Sequence, residues 1–360
     1  MKNAAQSKSG QPLRVGLVGV TGYTGMELAR LLAVHPCMEL VRVTSRSESG
    51  KKLVSLYPFL RGFKAGELVL SPPDTSDLAE TCEIVFLAIP HGAAMNMGAE
   101  LVRKGCKVVD LSADFRLRDR NVYESWYKVP HNEPEALADA VYGLPELYAE
   151  RIAGARLVAN PGCYPTASIL GLFPALKHDF VECEDVVIDA KSGTTGAGRG
   201  VKVGSLFCEV HDTFKAYNLT AHRHTPEIEQ ELSLVADREM RISFNTHLLP
   251  VNRGILCTIY TRLKAADTRL EDIHAAYESV YAGHEFVRVL PPGELPELRS
   301  VRGTMFCDIA VVKDERTRRL IIVSVIDNLC RGASGQALAN ANLMAGLPLH
   351  AGLRLAPLCP

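Results

Sequence analysis

Leu13-Arg14-Val15-Gly16-Leu17-Val18-Gly19-Val20-Thr21-Gly22-Tyr23-Thr24-Gly25 decides the fold. The apolar run Leu13 to Val18 reads as a buried strand, the glycines as a turn, and Glu27 to Val34 as the helix that follows. Strand, glycine turn and helix together form the context in which a dinucleotide pyrophosphate is held. Glycines let backbone approach the phosphates, and a helix start offers amides and a favourable dipole. The spacing is G-x-x-G-x-x-G, a variant of G-x-G-x-x-G, so a plain tight turn is the competing reading.

Outward from there, Glu39 to Thr44 reads as a second strand. An acidic residue about 20 positions past the glycines would bind a ribose 2′-hydroxyl. Ser45-Arg46-Ser47 stands there instead, which suits a 2′-phosphate and favours NADP over NAD. Arg46 as a solvated loop arginine is the other reading, and Glu48 stands close by. Glu83 to Ile89 and Lys107 to Leu111 read as further strands separated by helical spacing, the pattern of a doubly wound parallel sheet. Ligands of such sheets sit beyond the carboxyl ends of the strands. Pro90 and Ser112-Ala113-Asp114 fall at those ends, Pro90 beside the cofactor path. Arg116 is either an anchor for an anionic substrate or a surface charge, and Asp114 either belongs to the site or caps a helix or turn. Residues 117–155, with several prolines and mixed charges, read as an irregular connection partly lidding the sheet edge, with Tyr142 to Glu146 as a turn.

Arg156 to Ala159 then leads into Asn160-Pro161-Gly162-Cys163-Tyr164-Pro165-Thr166 and a helical run, Ala167 to Leu176. Pro161-Gly162 turns the chain. Cys163 therefore falls where a strand ends and a helix begins, where free amides favour a thiolate. A buried structural cysteine is the alternative. Asp185 to Lys191 reads as a strand opening into Ser192 to Gly200, a loop of four glycines and three hydroxyl side chains. Such a loop has many free amides with which to wrap a nicotinamide or a phosphate. His222-Arg223-His224-Thr225-Pro226-Glu227 precedes a helix, with Thr225 as N-cap and Pro226 at its first position. In an extended segment the two histidines face the same way and act on protons near neutral pH. His224, nearer the helix, is the first choice for proton transfer, and exposed loop histidines are the bland alternative. No further ligands at zinc spacing accompany them. Ile242 to His247, Gly254 to Leu263, Glu285 to Leu290, Met305 to Val312 and Leu320 to Ile326 read as strands, and Leu270 to Tyr281 as a helix. That makes an α+β domain with a mostly antiparallel sheet, one face on helices and the other on a partner subunit. Asp327-Asn328-Leu329 closes the region, and Gly332 to Leu347 is a last helical stretch.

The chain has 360 residues, 47% of them hydrophobic, enough for two domains with cores. A net charge of −1 gives no attraction to nucleic acid or anionic membranes. No apolar run approaches ~20 residues. Met1 to Gln11 is polar and reads as a disordered tail. Ten cysteines without C-x-x-C spacing fit reduced thiols in a cytoplasmic protein.

The segment around Cys163 resembles the active-site segment of the N-acetyl-gamma-glutamyl-phosphate reductase family. Gly19 to Gly25, Ile89-Pro90-His91-Gly92, Asp110 to Arg116, Ser192 to Arg199, His222 to Glu227 and Asp327-Asn328-Leu329 resemble it too, in the family's order and over nearly the whole chain. The resemblance implies an NADP-dependent acyl-phosphate reductase of arginine biosynthesis. Cys163 would be the nucleophile forming a thioester, with His222 and His224 moving protons and the Gly162 and Cys163 amides holding an oxyanion. Gly19, Thr21, Gly22, Tyr23, Thr24, Gly25, Ser45, Arg46, Pro90, Ser192, Gly193 and Asn328 would hold NADP. Arg116, Arg199 and Glu227 would bind substrate, and no metal is implied. The expected domains are a Rossmann-type domain over 12–162, completed by a C-terminal helix over 330–360, and a catalytic and oligomerisation domain over 163–329. A homodimer or homotetramer is implied. Two alternatives stay open: a reductase of aminoadipyl or aspartyl phosphate, and a non-catalytic NADP-binding regulator.

Overall fold

The computed structural model describes residues 11–359. All of the expected amino-terminal tail except Gln11 lies outside the described residues. The chain forms two compact units.

The first unit comprises the chain up to Pro161 together with Ala333–Arg354. Its strands are β1 (Leu13–Val18), β2 (Met38–Thr44), β3 (Ile84–Leu87), β4 (Lys107–Asp110), β5 (Val141–Tyr142) and β6 (Leu157–Ala159). They pair in the order β2-β1-β3-β4-β6-β5, every pair parallel. All of β3 and β6 is buried, which is why these strands read as unbroken apolar runs rather than as alternating ones. Helix Gly335–Met344 packs on β4 and on helices Tyr23–Leu32 and Pro145–Gly154. Its alanines and glycine permit close approach, and its buried polar groups are matched. Asn340 Nδ2 donates to the Gly143 carbonyl (2.9 Å) and to Asn160 Oδ1 (3.1 Å), and Asn160 Nδ2 donates to the Ala333 carbonyl (3.1 Å). The residue that leads into Pro161-Gly162-Cys163 is thus pinned by a helix from the far end of the chain.

Residues 117–155 are not irregular. They form helices Arg120–Tyr127, Pro134–Asp139 and Pro145–Gly154, with β5 added to the sheet edge. The prolines that looked like breakers open two of these helices, where no backbone N–H is needed. Asp119 caps the third, accepting the Asn121 amide at 2.7 Å. The expected turn over Tyr142 to Glu146 is a strand end followed directly by a helix start.

The second unit comprises Gly162–Gly332 and the chain from Leu355 on. Its strands are β7 (Val186–Ser192), β8 (Lys215–Tyr217), β9 (Ile242–Leu248), β10 (Ile255–Arg262), β11 (Val287–Val289), β12 (Cys307–Asp314) and β13 (Arg319–Ile326). The order is β11-β12-β13-β10-β7-β9-β8, with β11/β12 and β7/β9 parallel and the other four pairs antiparallel. Burial alternates along β7 and β10: Ile188, Ala190, Cys257 and Ile259 are buried, while Val187, Leu256 and Tyr260 are half-exposed on the opposite face.

Helix Cys163–Lys177 packs on β10 and β13. A Cβ on Gly171 would lie 3.0 Å from Ile259 Cδ1 and 3.1 Å from Ser324 Cβ, so a larger residue there would push the helix off the sheet. Pro174 inside this helix cannot donate to the Leu170 carbonyl. The Tyr281 hydroxyl donates to that carbonyl instead, and the Tyr277 hydroxyl donates to the next, Gly171, at 2.8 Å. These contacts hold the helix that begins at Cys163.

Candidate active site

In the first unit the three glycines of the turn have different duties. Gly19 has φ +87°, and a Cβ there would meet the Ala88 carbonyl oxygen at 2.3 Å. A Cβ on Gly25 would meet the Gly19 carbonyl oxygen at 2.4 Å. Both are required by packing of turn, helix and sheet. Gly22 is different: nothing lies within 3.8 Å of a Cβ built on it. It caps helix Tyr23–Leu32 with extended backbone and no side-chain hydrogen bond. Open space therefore stands at Gly22, in front of the helix start at Tyr23 and Thr24, whose amides have no intrahelical acceptor; the Gly22 amide itself donates to the Gly19 carbonyl at 3.3 Å. That opening fits a pyrophosphate.

At the carboxyl end of β2, Ser45 is buried and its Oγ accepts the Glu48 amide at 3.3 Å. Arg46 is exposed, with no hydrogen-bond or ion-pair partner among the described residues. Glu48, the nearby acid, is paired with Lys51 at 2.6 Å. An unengaged guanidinium beside a neutralised acid fits a 2′-phosphate better than a 2′-hydroxyl.

Pro90 is exposed just past β3. Asp114 is wholly buried and is a cap: its carboxylate accepts the amides of Gly92 (2.8 Å), Ala94 (3.1 Å) and Met95 (3.0 Å) and the Tyr123 hydroxyl (2.7 Å). It closes the start of helix Ala94–Arg103 from another segment. Behind it, burial and then the Asp114 charge raise the Asp110 pKa to about 7. Arg116 is no surface charge. It is 6% exposed, with Nε donating to the Asn160 carbonyl (2.8 Å) and Nη2 to the Leu111 carbonyl (2.9 Å).

In the second unit Cys163 is the first residue of its helix, and Gly162 is the extended N-cap. The Gly162 amide donates to Glu227 Oε1 at 2.8 Å, and Glu227 is 1% exposed. That amide is therefore not available for an oxyanion as the sequence led us to expect. Glu227, expected to bind substrate, braces the cysteine turn. From behind, Gly332 backs Cys163 so closely that a Cβ on Gly332 would lie 2.7 Å from Cys163 Cβ.

His222 and His224 do come together, though not through an extended segment. His224 has φ −81° and ψ −10° and is itself the N-cap; Thr225 is the first helical residue. The turn lets the His224 amide donate to His222 Nδ1 at 3.1 Å, with ring centroids 4.9 Å apart. Around His222 stand Tyr164 (5.3 Å), Phe244 (5.3 Å) and Tyr217 (5.9 Å), and the Tyr164 and Tyr217 hydroxyls are 2.8 Å apart. Burial, and then the neighbouring Arg223, lower the His222 pKa to about 4. Burial raises the Tyr164 phenol far above its ordinary value and Tyr217 to about 12, and the Cys163 charge contributes to both. Cys163, His222, His224, Tyr164, Tyr217 and Glu227 thus form one cluster. Nothing in the sequence marked Tyr217 or Phe244; Tyr164 was visible only as the neighbour of Cys163.

The glycine-rich loop is less open than its composition implied. The amides of Gly193, Thr194 and Thr195 donate to the carbonyls of Gly254, Val251 and Asn252, and that of Gly196 to Gly193. Ser192 is buried, with its hydroxyl donating to the Gly193 carbonyl. Asn328, expected at the cofactor, accepts the Gly254 amide through Oδ1 (2.7 Å) and donates through Nδ2 to Thr195 Oγ1 (3.0 Å). It braces the loop on which Arg199 stands exposed. Among the described residues no group of three or more His, Cys, Asp or Glu is placed to hold a metal ion. Nor is any helix among them long and apolar enough to cross a membrane.

Residues 14–155 match the family model described as "Semialdehyde dehydrogenase, NAD binding domain", and residues 163–328 match "Semialdehyde dehydrogenase, dimerisation domain". Over 341 residues the chain is 50% identical to N-acetyl-gamma-glutamyl-phosphate reductase of Pelotomaculum thermopropionicum, covering 95% of this chain and 97% of that one. The chain belongs to the N-acetyl-gamma-glutamyl-phosphate reductase family. A second family member, from Desulforudis audaxviator, is 50% identical over 348 residues, 97% of this chain and 100% of its own. In fold the chain is similar to aspartate semialdehyde dehydrogenase with NADP from Candida albicans, at TM-score 0.66 and 17% identity, covering 93% of this chain and 99% of that chain. The Rossmann-type sheet and the second, mixed sheet are the architecture that this family membership predicts.

Proposed function

We propose that this chain reduces N-acetyl-gamma-glutamyl phosphate to N-acetylglutamate 5-semialdehyde and phosphate, with NADPH, as a step of arginine biosynthesis. The observation that carries the reading is Cys163 at the first position of a tightly seated helix, clustered with two histidines, in a chain half identical to named reductases.

Cys163 attacks the acyl carbon, the C–O bond to phosphate breaks, and a thioester forms; phosphate takes its proton from water. When bound, NADPH supplies the hydride that turns the thioester into a thiohemiacetal. Collapse of that adduct frees the aldehyde and returns the thiolate. His222 and His224 serve the oxygen and the protons at this carbon, and Glu227 holds the Gly162 turn in place. Residues 12–162 with the later helix bind the dinucleotide: Gly19, Thr21, Gly22, Tyr23, Thr24 and Gly25 hold the pyrophosphate, Ser45 and Arg46 the 2′-phosphate. Pro90, Ser192, Gly193 and Asn328 shape or brace the nicotinamide end. Arg199 is the exposed candidate for a substrate anion, and Arg116 supports the strand end at Asn160. The chain works in the cytoplasm as a homodimer or homotetramer. The half-exposed sheet face with Leu256, Tyr260, Ile321 and Val323 receives the partner subunit, along with the exposed Phe207 and Phe214.

The test is NADPH oxidation with a panel of acyl phosphates. Turnover on the N-acetylglutamyl compound above the aspartyl and aminoadipyl ones supports the reading. Turnover only on another member replaces the substrate, and none on any overturns the enzyme.

A further inference from the structure

We infer that His222 acts as an uncharged hydrogen-bond donor through Nε2–H, aimed at the oxygen of the acyl carbon as it becomes anionic, and transfers no proton itself. This deepens the proposed reductase reading and rests on it. Three observations support it. First, the His224 backbone amide donates to His222 Nδ1 at 3.1 Å. A ring nitrogen that accepts an N–H carries no proton, so the neutral ring must carry its proton on Nε2. Second, Nε2 has no hydrogen-bond partner among the described residues, which leaves its proton for a ligand. Third, the Gly162 amide, which would otherwise serve an oxyanion at Cys163, is taken by Glu227. One of the two amides expected at the oxyanion is thereby withdrawn, and the Nε2–H of His222 takes its place.

The surroundings keep the ring uncharged. Tyr164 faces it from the cysteine helix, Tyr217 from β8 and Phe244 from β9, while Arg223 and His224 flank it in its own turn. None of these is a carboxylate, and Cys163, which the reaction charges, immediately precedes Tyr164 in the cysteine helix. Protonating Nδ1 would break the bond from the His224 amide among the surrounding aromatic rings. Burial, and then Arg223, push the ring's pKa down in the same direction. Both tetrahedral adducts at the acyl carbon bear an oxyanion, and a fixed donor lowers the barrier to each without a change in its own charge. Atoms balance without His222: hydride enters, thiolate leaves, and phosphate draws its proton from water. Proton traffic that remains falls to His224.

The two side-chain amides separate the roles. The amide nitrogen of His222→Gln can stand where Nε2 stood and still donate, whereas that of His222→Asn falls near Nδ1. Expected is a Gln variant within about 10-fold of the parent rate and an Asn variant slower by about 10²–10³, the cost of an oxyanion donor. Equal losses in both would overturn the donor role. Nitrogen-15 spectra of the full-length protein with labelled histidine provide a readout independent of activity and of the variants' folding. His222 should show the neutral Nε2–H tautomer throughout pH 5.5–8. An Nδ1–H tautomer, or titration within that range, would overturn the inference. Should the parent protein reduce no acyl phosphate while the spectra show the Nε2–H tautomer, the reductase reading fails and the tautomer assignment stands.

Discussion

Gly332 and Cys163 are packed back to back. A Cβ on Gly332 would lie 2.7 Å from Cys163 Cβ and 3.1 Å from its Cα, closer than side chains pack. Gly332→Ala should therefore displace the nucleophile. Overpacking costs roughly 1–3 kcal/mol, and a shift of ~1 Å at a reacting group can cost ~10²-fold in rate. A melting curve and a turnover assay on one preparation check this. Unchanged melting and rate would mean that the π-helical turn Cys330–Ser334 yields freely.

Cys163 should be the one cysteine of ten that the chemistry requires. Cys82, Cys106, Cys183, Cys257, Cys307 and Cys330 are buried, and burial raises the thiols of Cys82, Cys106, Cys183 and Cys257. Cys163→Ser should keep its fold and NADPH affinity and lose turnover. Mass spectrometry after acyl phosphate without NADPH should find a single acyl group, on Cys163. An acyl group elsewhere, or substantial turnover by the Ser variant, would refute covalent catalysis there.

Arg46 should set the cofactor preference. Arg46→Asp removes a charged hydrogen bond worth roughly 1.5–3 kcal/mol and places an acid where a 2′-hydroxyl would be bound. The ratio of NADPH to NADH affinity, measured by titration, should fall by at least ~10-fold. If the parent binds both equally, Arg46 is only a solvated loop residue.

Asp110 should make stability depend on pH. Its folded pKa, about 7, lies above its ordinary 3.8, so the folded state binds the proton more tightly than the unfolded one. Its contribution is complete below about pH 4 and is lost as pH rises through about 7. Asp110→Asn keeps an uncharged group of the same shape and should flatten that part of the curve. Denaturant unfolding at pH 5 and pH 8 compares the two; equal slopes in both proteins would show that Asp110 does not titrate as stated.

The first unit was legible where local chemistry and position agree. Gly19, preceded by an apolar strand's end and followed by a helix, has few other uses, and the structure requires its left-handed backbone. Residues 117–155 were misread because proline breaks a helix interior but opens a helix start, and only the neighbouring caps distinguish the two. β8 was invisible: it has three residues, and Lys215 and Ala216 are exposed. Within the site, Cys163 and the histidines showed by type and spacing. The hydrogen-bond acceptors did not. That the Gly162 amide goes to Glu227, or the amides of Gly193 to Thr195 to the turn at Val251 to Gly254, depends on segments far apart in sequence. A glycine-rich loop reads as open from composition whether or not its donors are already bonded.

Helix Gly335–Met344 has a consequence for how the protein is made. It is part of the first unit's core, yet the ribosome reaches it only after the whole run Gly162–Gly332. During that interval β4 lacks a helix that later covers it, and Asn160 lacks its bond from Asn340. The first unit therefore cannot finish folding as a nascent amino-terminal domain, the usual order in synthesis. It waits with apolar sheet uncovered while the second unit folds, and that is when the chain has most need of a chaperone.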